Sequence, residues 1–373
     1  MKVNFLILLS ILFLNACRVQ PDAENRPVEI DIREQADMTA FFKTYRSVTL
    51  ETTEDNLIGK IGKIQTDSNN IYLLDTKQQE VIIFDLQGKY RGKISKQGRA
   101  SGEYLSMEDF NVHHTVIYCL SRPDRKIYGY SREGELLEVH TLDDYYNNFT
   151  VVDDSLMWLY SEYSGRKGYN FTLFDYRTDR IKEKRDSFEK AQDYDFQGSP
   201  FHWSKEGLLI TEQFDPTIYR MTEEGKVPFL VFDFHLLNKF PHDYKTKDWS
   251  ELMRQYQNKE MFHRIGHVSL SKNILTVVYT AFYDGMGIRE NIAKVDLDSG
   301  KVKVVRFGDK IDPEFPFIFN PSGFCRNELV TWAPAMLVKD FMKRFNINLP
   351  DGDKIGEEDN PVLFFHRLME EDV

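Results

Sequence analysis

The chain has 373 residues, of which 14% are aromatic and 29% charged, and its formal net charge at pH 7 is −11. This acidic balance argues against nucleic acid or an anionic membrane surface as a partner, because either requires a basic patch or stripe. The many Tyr and Phe residues among the charged ones favour half-buried β-strands over long helices.

The N-terminus has the features of a secretory signal. A lysine precedes an apolar run from Val3 to Leu14, which is shorter than the roughly 20 residues of a membrane-spanning helix. The following Leu-Asn-Ala-Cys at 14–17 resembles the lipobox of bacterial lipoproteins, which implies that Cys17 becomes the lipidated first residue of the mature chain. We therefore predict a signal peptide over 1–16, with an uncleaved membrane anchor as the alternative.

A polar segment from Arg18 to Pro27 contains two prolines and no periodicity, which suits a flexible tether. We assign residues 17–40 to this tether and residues 41–373 to one folded domain. Cys119 and Cys325 lie far apart in apolar, strand-like segments. Two isolated cysteines do not make a disulfide framework, so we predict two buried free thiols.

The clearest internal signal is a repeated strand, turn, strand unit. Turn residues stand at positions 88, 134, 179 and 225, at intervals of 46, 45 and 46 residues, and each follows a short apolar strand such as Val81–Asp85. Another short strand precedes each hairpin, as at Ile71–Leu74, and a less regular one precedes that. Four strands in about 45 residues predict the blades of a β-propeller.

Two insertions interrupt this repeat. The next turn, at Gly300, comes 75 residues after Gly225, and the strand pattern stops from 235 to 262. Within that segment Asp-Trp-Ser-Glu at 248–251 resembles a capping box that begins a helix. A second helical pattern runs from Pro334 to Phe345, inside an insertion over 333–360.

The two ends of the domain each contain part of a blade. The strands predicted at 328–332 and 362–367 lack a last hairpin strand, whereas Tyr45–Glu51 has no blade of its own. Joining them completes a sixth blade and removes two exposed sheet edges. The sequence thus predicts an all-β fold, a six-bladed β-propeller with four-stranded blades, closed by pairing of the N- and C-terminal strands, with short helical insertions.

Several segments near the start of the predicted domain resemble a known family. Tyr45–Thr53, Ile58–Ile61, Ile71–Asp75 and the Gly-Arg-Ala-Ser-Gly-Glu-Tyr segment at 98–104 together are similar to the six-bladed β-propeller lipoproteins of Bacteroides-type bacteria. The segment 98–104 also resembles NHL-repeat propellers. The resemblance covers essentially the whole mature chain and implies a cell-envelope location, with attachment to the outer membrane. It implies little about mechanism, because fold alone does not give function.

Common catalytic signatures are absent from the sequence, which lacks Gly-x-Ser-x-Gly, His-Glu-x-x-His, Gly-Lys-Ser/Thr and Cys-x-x-Cys motifs. His113 and His114 form a doublet in a predicted strand. Adjacent side chains of a strand point to opposite faces, so we expect that this pair cannot chelate one ion. We predict no cofactor and no metal.

The irregular loops of the chain fall into two classes of connection, those between blades and those between the second and third strands of a blade. Both classes share one face of a propeller, and elaborated loops on one rim commonly carry binding sites. Arg forks and aromatic rings there suit carboxylates, sugars or peptide backbones. The loops are 98–109, 161–168, 235–262, 281–290 and 333–360. The candidate ligand-binding residues are Arg99, Glu103, Tyr104, Arg122, Arg166, Tyr283, Asp284 and Arg289, with Arg125 and Tyr163 on the same rim.

The alternative to a binding site is that these rim residues are only solvated loop residues or form ion pairs between blades. With the rim as a site, the sequence predicts a monomeric, lipid-anchored protein of the cell envelope that captures a glycan, peptide or protein partner. A hydrolase or lyase with a site at the central channel is one alternative function, and a structural part of an outer-membrane complex is another. Histidines and carboxylates that converge at the channel mouth would favour the enzyme.

Overall fold

The computed structural model describes residues 27–369 except 34, 190, 192–197, 224, 236, 240–253, 255–258, 284–285, 309–311 and 313. Its strands form six sheets, which are the blades of the predicted six-bladed β-propeller. Blade 1 contains β3 (Ile61–Thr66), β4 (Asn70–Asp75), β5 (Glu80–Asp85) and β6 (Tyr90–Ile94). Blade 2 contains β7 (Asp109–His113), β8 (Val116–Ser121), β9 (Lys126–Tyr130) and β10 (Leu136–Thr141).

The next three blades have the same strand order. Blade 3 contains β11 (Asn148–Val151), β12 (Leu156–Tyr160), β13 (Tyr169–Asp175) and β14 (Arg180–Ser187). Blade 4 contains β15 (Phe201–Ser204), β16 (Gly207–Thr211), β17 (Thr217–Thr222), β18 (Gly225–Phe234) and, as an added fifth strand, β1 (Val28–Ile30). Blade 5 contains β19 (Met261–Ser271), β20 (Ile274–Tyr283), β21 (Gly287–Asp296) and β22 (Val302–Arg306).

Blade 6 is shared by the two ends of the domain, as predicted. It contains β23 (Gly323–Cys325), β24 (Glu328–Ala333) and β25 (Val362–Leu368), and its outer strand is the N-terminal β2 (Phe42–Thr49). β2 pairs antiparallel with β25, and Val48 stands opposite Leu363. This pairing closes the ring with the outer strand from one end of the domain and the three inner strands from the other.

Apolar clusters fill the interfaces between neighbouring blades. The first strands of neighbouring blades contact each other, as β3 with β7 and β7 with β11, so these strands line the centre of the ring. The clusters combine side chains of blades 1 and 2, 2 and 3, 3 and 4, 4 and 5, 5 and 6, and 6 and 1. Each blade is therefore buried on both faces, which explains the almost continuous apolar runs of its middle strands.

The ordered domain begins earlier than predicted. Residues 28–40 were assigned to the tether, but β1 pairs parallel with β18 of blade 4, and Ala36 N donates to Val304 O of blade 5 at 2.8 Å. Ile30 and Met38 are buried in the clusters on either side of blade 5. The N-terminal segment thus passes along the outer edges of blades 4, 5 and 6. The rest of the predicted tether, with the signal peptide and Cys17, lies outside the described residues.

Because the strands of each blade alternate in direction, the first-to-second-strand and third-to-fourth-strand turns lie on one face, and the interblade connections and second-to-third-strand loops lie on the other. We call the face with the interblade connections and the second-to-third-strand loops the loop face, and the other the turn face. The repeated turns lie on the turn face. Gly88, Gly134 and Gly225 have φ of 84°, 82° and 139°, and Asp179 has φ of 51°. A Cβ at Gly88 would lie 2.1 Å from Thr49 O of β2, so this turn requires glycine.

The insertions agree with the prediction in part. The predicted helix at 334–345 is α1 (Ala335–Phe345), which packs Val338 and Phe341 against blade 6. The predicted helix near 248–251 lies outside the described residues. The described part of segment 281–290 is not irregular, because β20 and β21 extend into it and pair as far as Tyr283 and Gly287. No helix of the described residues is long and apolar enough to cross a membrane. Cys119 is buried and Cys325 half-buried, and both are free.

Candidate binding site

Two of the predicted site residues are not available on the loop face. The side chain of Tyr104 is fully buried, and its hydroxyl donates to Gln79 O at 2.7 Å. Its ring packs edge-on against Tyr128 and Tyr130, in the cluster between blades 1 and 2. Tyr283 is also buried, and its hydroxyl donates to Asn291 Oδ1 at 3.0 Å. Both tyrosines therefore belong to the core, which corrects their prediction as ligand contacts.

The other predicted residues are dispersed around the rim. Glu103 closes its own loop, because Oε2 accepts a hydrogen bond from Ala100 N at 2.8 Å. Arg99 is exposed on the same connection. Arg289 is half-buried on blade 5 and donates to Ile288 O at 3.0 Å. Asp284 lies outside the described residues. These residues belong to blades that are not neighbours, so they do not form one site.

Three arginines of the loop face do converge, around a tyrosine that the sequence analysis missed. The guanidinium carbons of Arg122, Arg125 and Arg166 lie 5.6, 5.9 and 4.8 Å from the ring centroid of Tyr145. Such distances allow attraction between a guanidinium and the π-face of the ring. We call Arg122, Arg125, Arg166 and Tyr145 the arginine cluster. It lies between blades 2 and 3.

Three different loops supply these side chains, and backbone hydrogen bonds tie the loops together. Arg122 and Arg125 lie in the tight turn between β8 and β9, where Arg125 N donates to Arg122 O at 3.1 Å and Arg125 has φ of 53°. Tyr145 lies in the connection from β10 to β11, and Leu142 N of that connection donates to Arg125 O at 2.8 Å. Arg166 lies in the loop between β12 and β13.

Asp144 holds the loop between β12 and β13, which carries Arg166, against the connection from β10 to β11. Its Oδ1 accepts hydrogen bonds from Tyr145 N and Arg166 N, both at 2.8 Å, and its Oδ2 accepts one from Lys167 N at 2.5 Å. The carboxylate of Asp144 is buried and satisfied by backbone N–H groups. It therefore fixes the geometry of the cluster without forming an ion pair with a guanidinium group.

The positive charge of the cluster is not paired within the described part of the chain. There, no carboxylate oxygen lies within 4.0 Å of the guanidinium nitrogens of Arg122, Arg125 or Arg166. Arg122 Nη2 donates to Ser164 Oγ at 3.3 Å, but its buried Nε has no acceptor among the described residues. Closely spaced cations without counter-charges are the arrangement that binds carboxylate, sulfate or phosphate groups.

The nearby carboxylates have other partners. Glu108 accepts from Arg122 N at 2.7 Å and from Ser106 Oγ at 2.5 Å, and burial raises the pKa of its carboxyl. Asp143 forms an ion pair with Lys184 at 2.6 Å. Tyr163, another residue of the predicted rim, is buried and donates to Glu212 Oε1 at 2.9 Å.

A second polar group lies deeper, where β19 meets the loop face. Burial lowers the pKa of Arg264 and raises that of Glu290 to about 7. The adjoining cavity, bounded in the described chain by Glu162, Glu212 and Arg264, has a volume of about 20 Å³. A space of that size holds about one water molecule. The arginine cluster is therefore the better candidate for contact with a ligand.

The fold and the cluster define a six-bladed β-propeller with a group of three arginines on its loop face that have no carboxylate partner among the described residues. The chain belongs to the family described as "Domain of unknown function (DUF4934)", whose model matches residues 25–367. No curated protein matches the chain.

Two solved structures share the fold. One is a Bacteroides fragilis protein whose name describes it as exported; it has a TM-score of 0.75 at 17% identity, and the match covers 92% of this chain and 100% of that chain. The other is a member of the DUF4221 family from Bacteroides vulgatus, with a TM-score of 0.56 at 10% identity and coverage of 87% and 96%. At these identities the similarity shows the shared fold alone.

Proposed function

We propose that this protein is a binding protein of the cell envelope that captures its ligand through an anionic group on the ligand. The observation that carries this proposal is the convergence of three guanidinium groups on Tyr145, without a carboxylate partner among the described residues. Arg forks bind planar oxyanions with two parallel hydrogen bonds, and a nearby aromatic ring adds apolar contact. Acidic glycans and acidic peptides both present such groups.

The location of the cluster supports a binding role. It lies on the loop face, where the long connections also lie, and the loops that carry it are fixed by hydrogen bonds to a rigid blade scaffold. A prearranged site of this kind loses little conformational entropy when a ligand binds.

An envelope location is supported by two observations. The Leu-Asn-Ala-Cys sequence at 14–17 follows an apolar run of signal-peptide length, and a structural neighbour from Bacteroides is named as exported. In this proposal Cys17 carries lipid that holds the protein at the outer membrane.

The test is a titration of the purified protein with polygalacturonate, heparin and polyglutamate, with neutral dextran as the uncharged control. We expect at least one of the anionic polymers to bind, and binding to weaken as ionic strength rises. Arg122→Ala, Arg125→Ala and Arg166→Ala should each reduce affinity about tenfold or more, because a hydrogen bond to a charged group contributes about 1.5–3 kcal/mol.

Arg99→Ala and Arg289→Ala are the matched controls, because each removes one positive charge from the same face outside the cluster. Their affinities should stay near that of the wild type. Binding that these two substitutions abolish, while the cluster variants retain it, would assign the site to Arg99 and Arg289 and contradict the proposal. Equal binding of dextran would contradict it as well.

A further inference from the structure

The turn face carries a group of side chains that is separate from the arginine cluster. His113, His114 and Asp154 each present one ligand atom, and these three atoms lie within 4.8 Å of one another. The Nε2 atoms of His113 and His114 each lie 2.9 Å from Asp154 Oδ1. The strand pattern predicted that the two side chains point to opposite faces, but in the structure both reach the same carboxylate oxygen.

The reason lies in the position of His114. β7 ends at His113, and His114 begins the turn to β8 with φ of 53°, so the alternation of a strand no longer applies. The two rings lie on the same side, with centroids 4.1 Å apart. A left-handed conformation is unusual for a residue other than glycine and persists only where surrounding contacts stabilise it.

Asp154 comes from the corresponding turn of the next blade, between β11 and β12. The carboxylate of its neighbour Asp153 forms hydrogen bonds within the turn, because its Oδ1 accepts from Ser155 N at 2.8 Å and from Leu156 N at 2.9 Å. The carboxylate of Asp154 is thus directed to the two histidines instead. Hydrogen bonds from both imidazoles lower the pKa of Asp154, which keeps this group ionised.

The backbones of both turns are held by arginines. Arg177 Nε donates to Asp154 O at 2.7 Å, and Arg132 Nη2 lies 3.4 Å from His114 O. Arg132 also forms an ion pair with Asp67 at 2.8 Å, which compensates its charge. Both arginines donate to backbone carbonyls and thus limit the movement of the two turns.

We propose that His113, His114 and Asp154 form a binding site for a divalent transition-metal ion of the zinc type, which links blades 2 and 3 on the turn face. Two imidazole nitrogens and one carboxylate oxygen are a ligand set that zinc uses in sites with an open fourth position. In a tetrahedral zinc site with bonds of about 2.0–2.1 Å, ligand atoms are about 3.3 Å apart, so the present spacing requires only small side-chain shifts.

The fourth position would be open to solvent. The side chains of His114 and Asp154 are 71% and 63% exposed, so water or a group of a ligand can reach the ion. Coordination through Nε2 places the proton of each imidazole on Nδ1. The inference is independent of the proposed function, because it concerns the other face of the propeller.

The test uses untagged, metal-free protein titrated with Zn²⁺ in a calorimeter, and with Co²⁺ while visible absorption is recorded. We expect one ion per chain, a visible spectrum typical of four- or five-coordinate cobalt, and a higher melting temperature with zinc. Loss of an outer-shell partner lowers the metal affinity of a site about 10–100-fold. His114→Ala and Asp154→Asn remove direct ligands, so each should weaken zinc binding by more than that. Both residues are exposed, so these variants should fold.

His235→Ala is the control, because His235 is an exposed histidine directly after β18 and its removal should leave zinc binding unchanged. A stoichiometry near zero would overturn the proposal and leave only hydrogen bonds between Asp154 and the histidines. Zinc binding that His114→Ala retains, or that His235→Ala abolishes, would overturn it too.

Discussion

Lys63 and Asp109 form an ion pair across the interface of blades 1 and 2, with 2.7 Å between Nζ and Oδ1. The same lysine donates to Phe110 O at 2.7 Å, while Asp109 Oδ2 accepts from Phe149 N of blade 3 at 3.1 Å. One buried carboxylate therefore joins three consecutive blades near the centre of the ring.

Asp109→Ala should lower the free energy of unfolding by about 3 kcal/mol, because it leaves the cation of Lys63 without its counter-charge and Phe149 N without an acceptor. Urea denaturation measures this loss. In the double variant with Lys63→Met, part of the stability should return, since the unpaired charge is gone. A double variant less stable than Asp109→Ala alone would contradict this explanation.

Removal of residues 362–373 should abolish cooperative unfolding of the whole domain. The deletion removes β25, which pairs with both β2 and β24, and it leaves Val48 and Val330 without their apolar partners. Circular dichroism and Trp fluorescence, followed in urea, should then give transitions that do not coincide. Removal of 370–373 alone is the control and should leave one transition. A single wild-type transition in the longer deletion would disprove closure by β25.

The stability of the domain should fall as pH falls from about 6.5 toward 3. Burial lowers the pKa of both His202 and His366 to about 3, whereas a histidine in the unfolded chain titrates near 6.5. The unfolded state therefore binds more protons in this window, and acidification favours unfolding. The expected cost at pH 5 is about 2 kcal/mol for each histidine.

The hydrogen bonds are consistent with neutral imidazoles. Thr331 Oγ1 donates to Phe317 O, so His366 Nε2 donates to Thr331 Oγ1 at 3.0 Å. Guanidinium denaturation of the wild type and of His366→Phe at pH 7 and pH 5 measures the contribution of His366. The variant should lose about 2 kcal/mol less than the wild type between the two pH values. An equal loss in both proteins would show that His366 does not contribute.

Replacement of Cys17 with Ser should move the protein from the membrane fraction to the soluble fraction, because it removes the thiol that would carry lipid. Labelled fatty acid should enter the wild type and not the variant, as measured on the immunoprecipitated protein. A Ser variant that still takes up label, or that stays with the membranes, would exclude Cys17 as the lipidation site.

The blade repeat could be predicted because its turns need particular backbone conformations. The residues at 88, 134, 179 and 225 have positive φ, and glycine or aspartate at such positions marks a turn in the sequence. The shared sixth blade followed from counting strands. The start of the domain could not be found in this way, since Ile30 and Met38 become buried only through contacts with blades 4 to 6.

The sites were harder to predict, because they depend on contacts between distant loops. Tyr145 is one polar aromatic residue in a connection, and only the fold brings Arg122 and Arg166 to it. Tyr104 lies in a glycine-rich segment typical of a surface loop. In the structure it is buried in the core, where its hydroxyl donates a hydrogen bond to backbone carbonyl oxygens of Gln79 and Ile94. The histidine doublet was misjudged because a single residue, His114, lies past the end of the strand.

The path of residues 28–49 determines how the propeller would respond to mechanical tension applied to the chain ahead of β1. A force applied at Cys17 would reach β1 first and be resisted by its pairing with Phe232–Phe234 of β18. The next contact along the chain is the bridge from Gln35 to Val304, and the ring-closing strand β2 comes only after it. Two attachments to the outer edges of blades 4 and 5 thus shield the closure of the ring from a load applied to the chain ahead of β1.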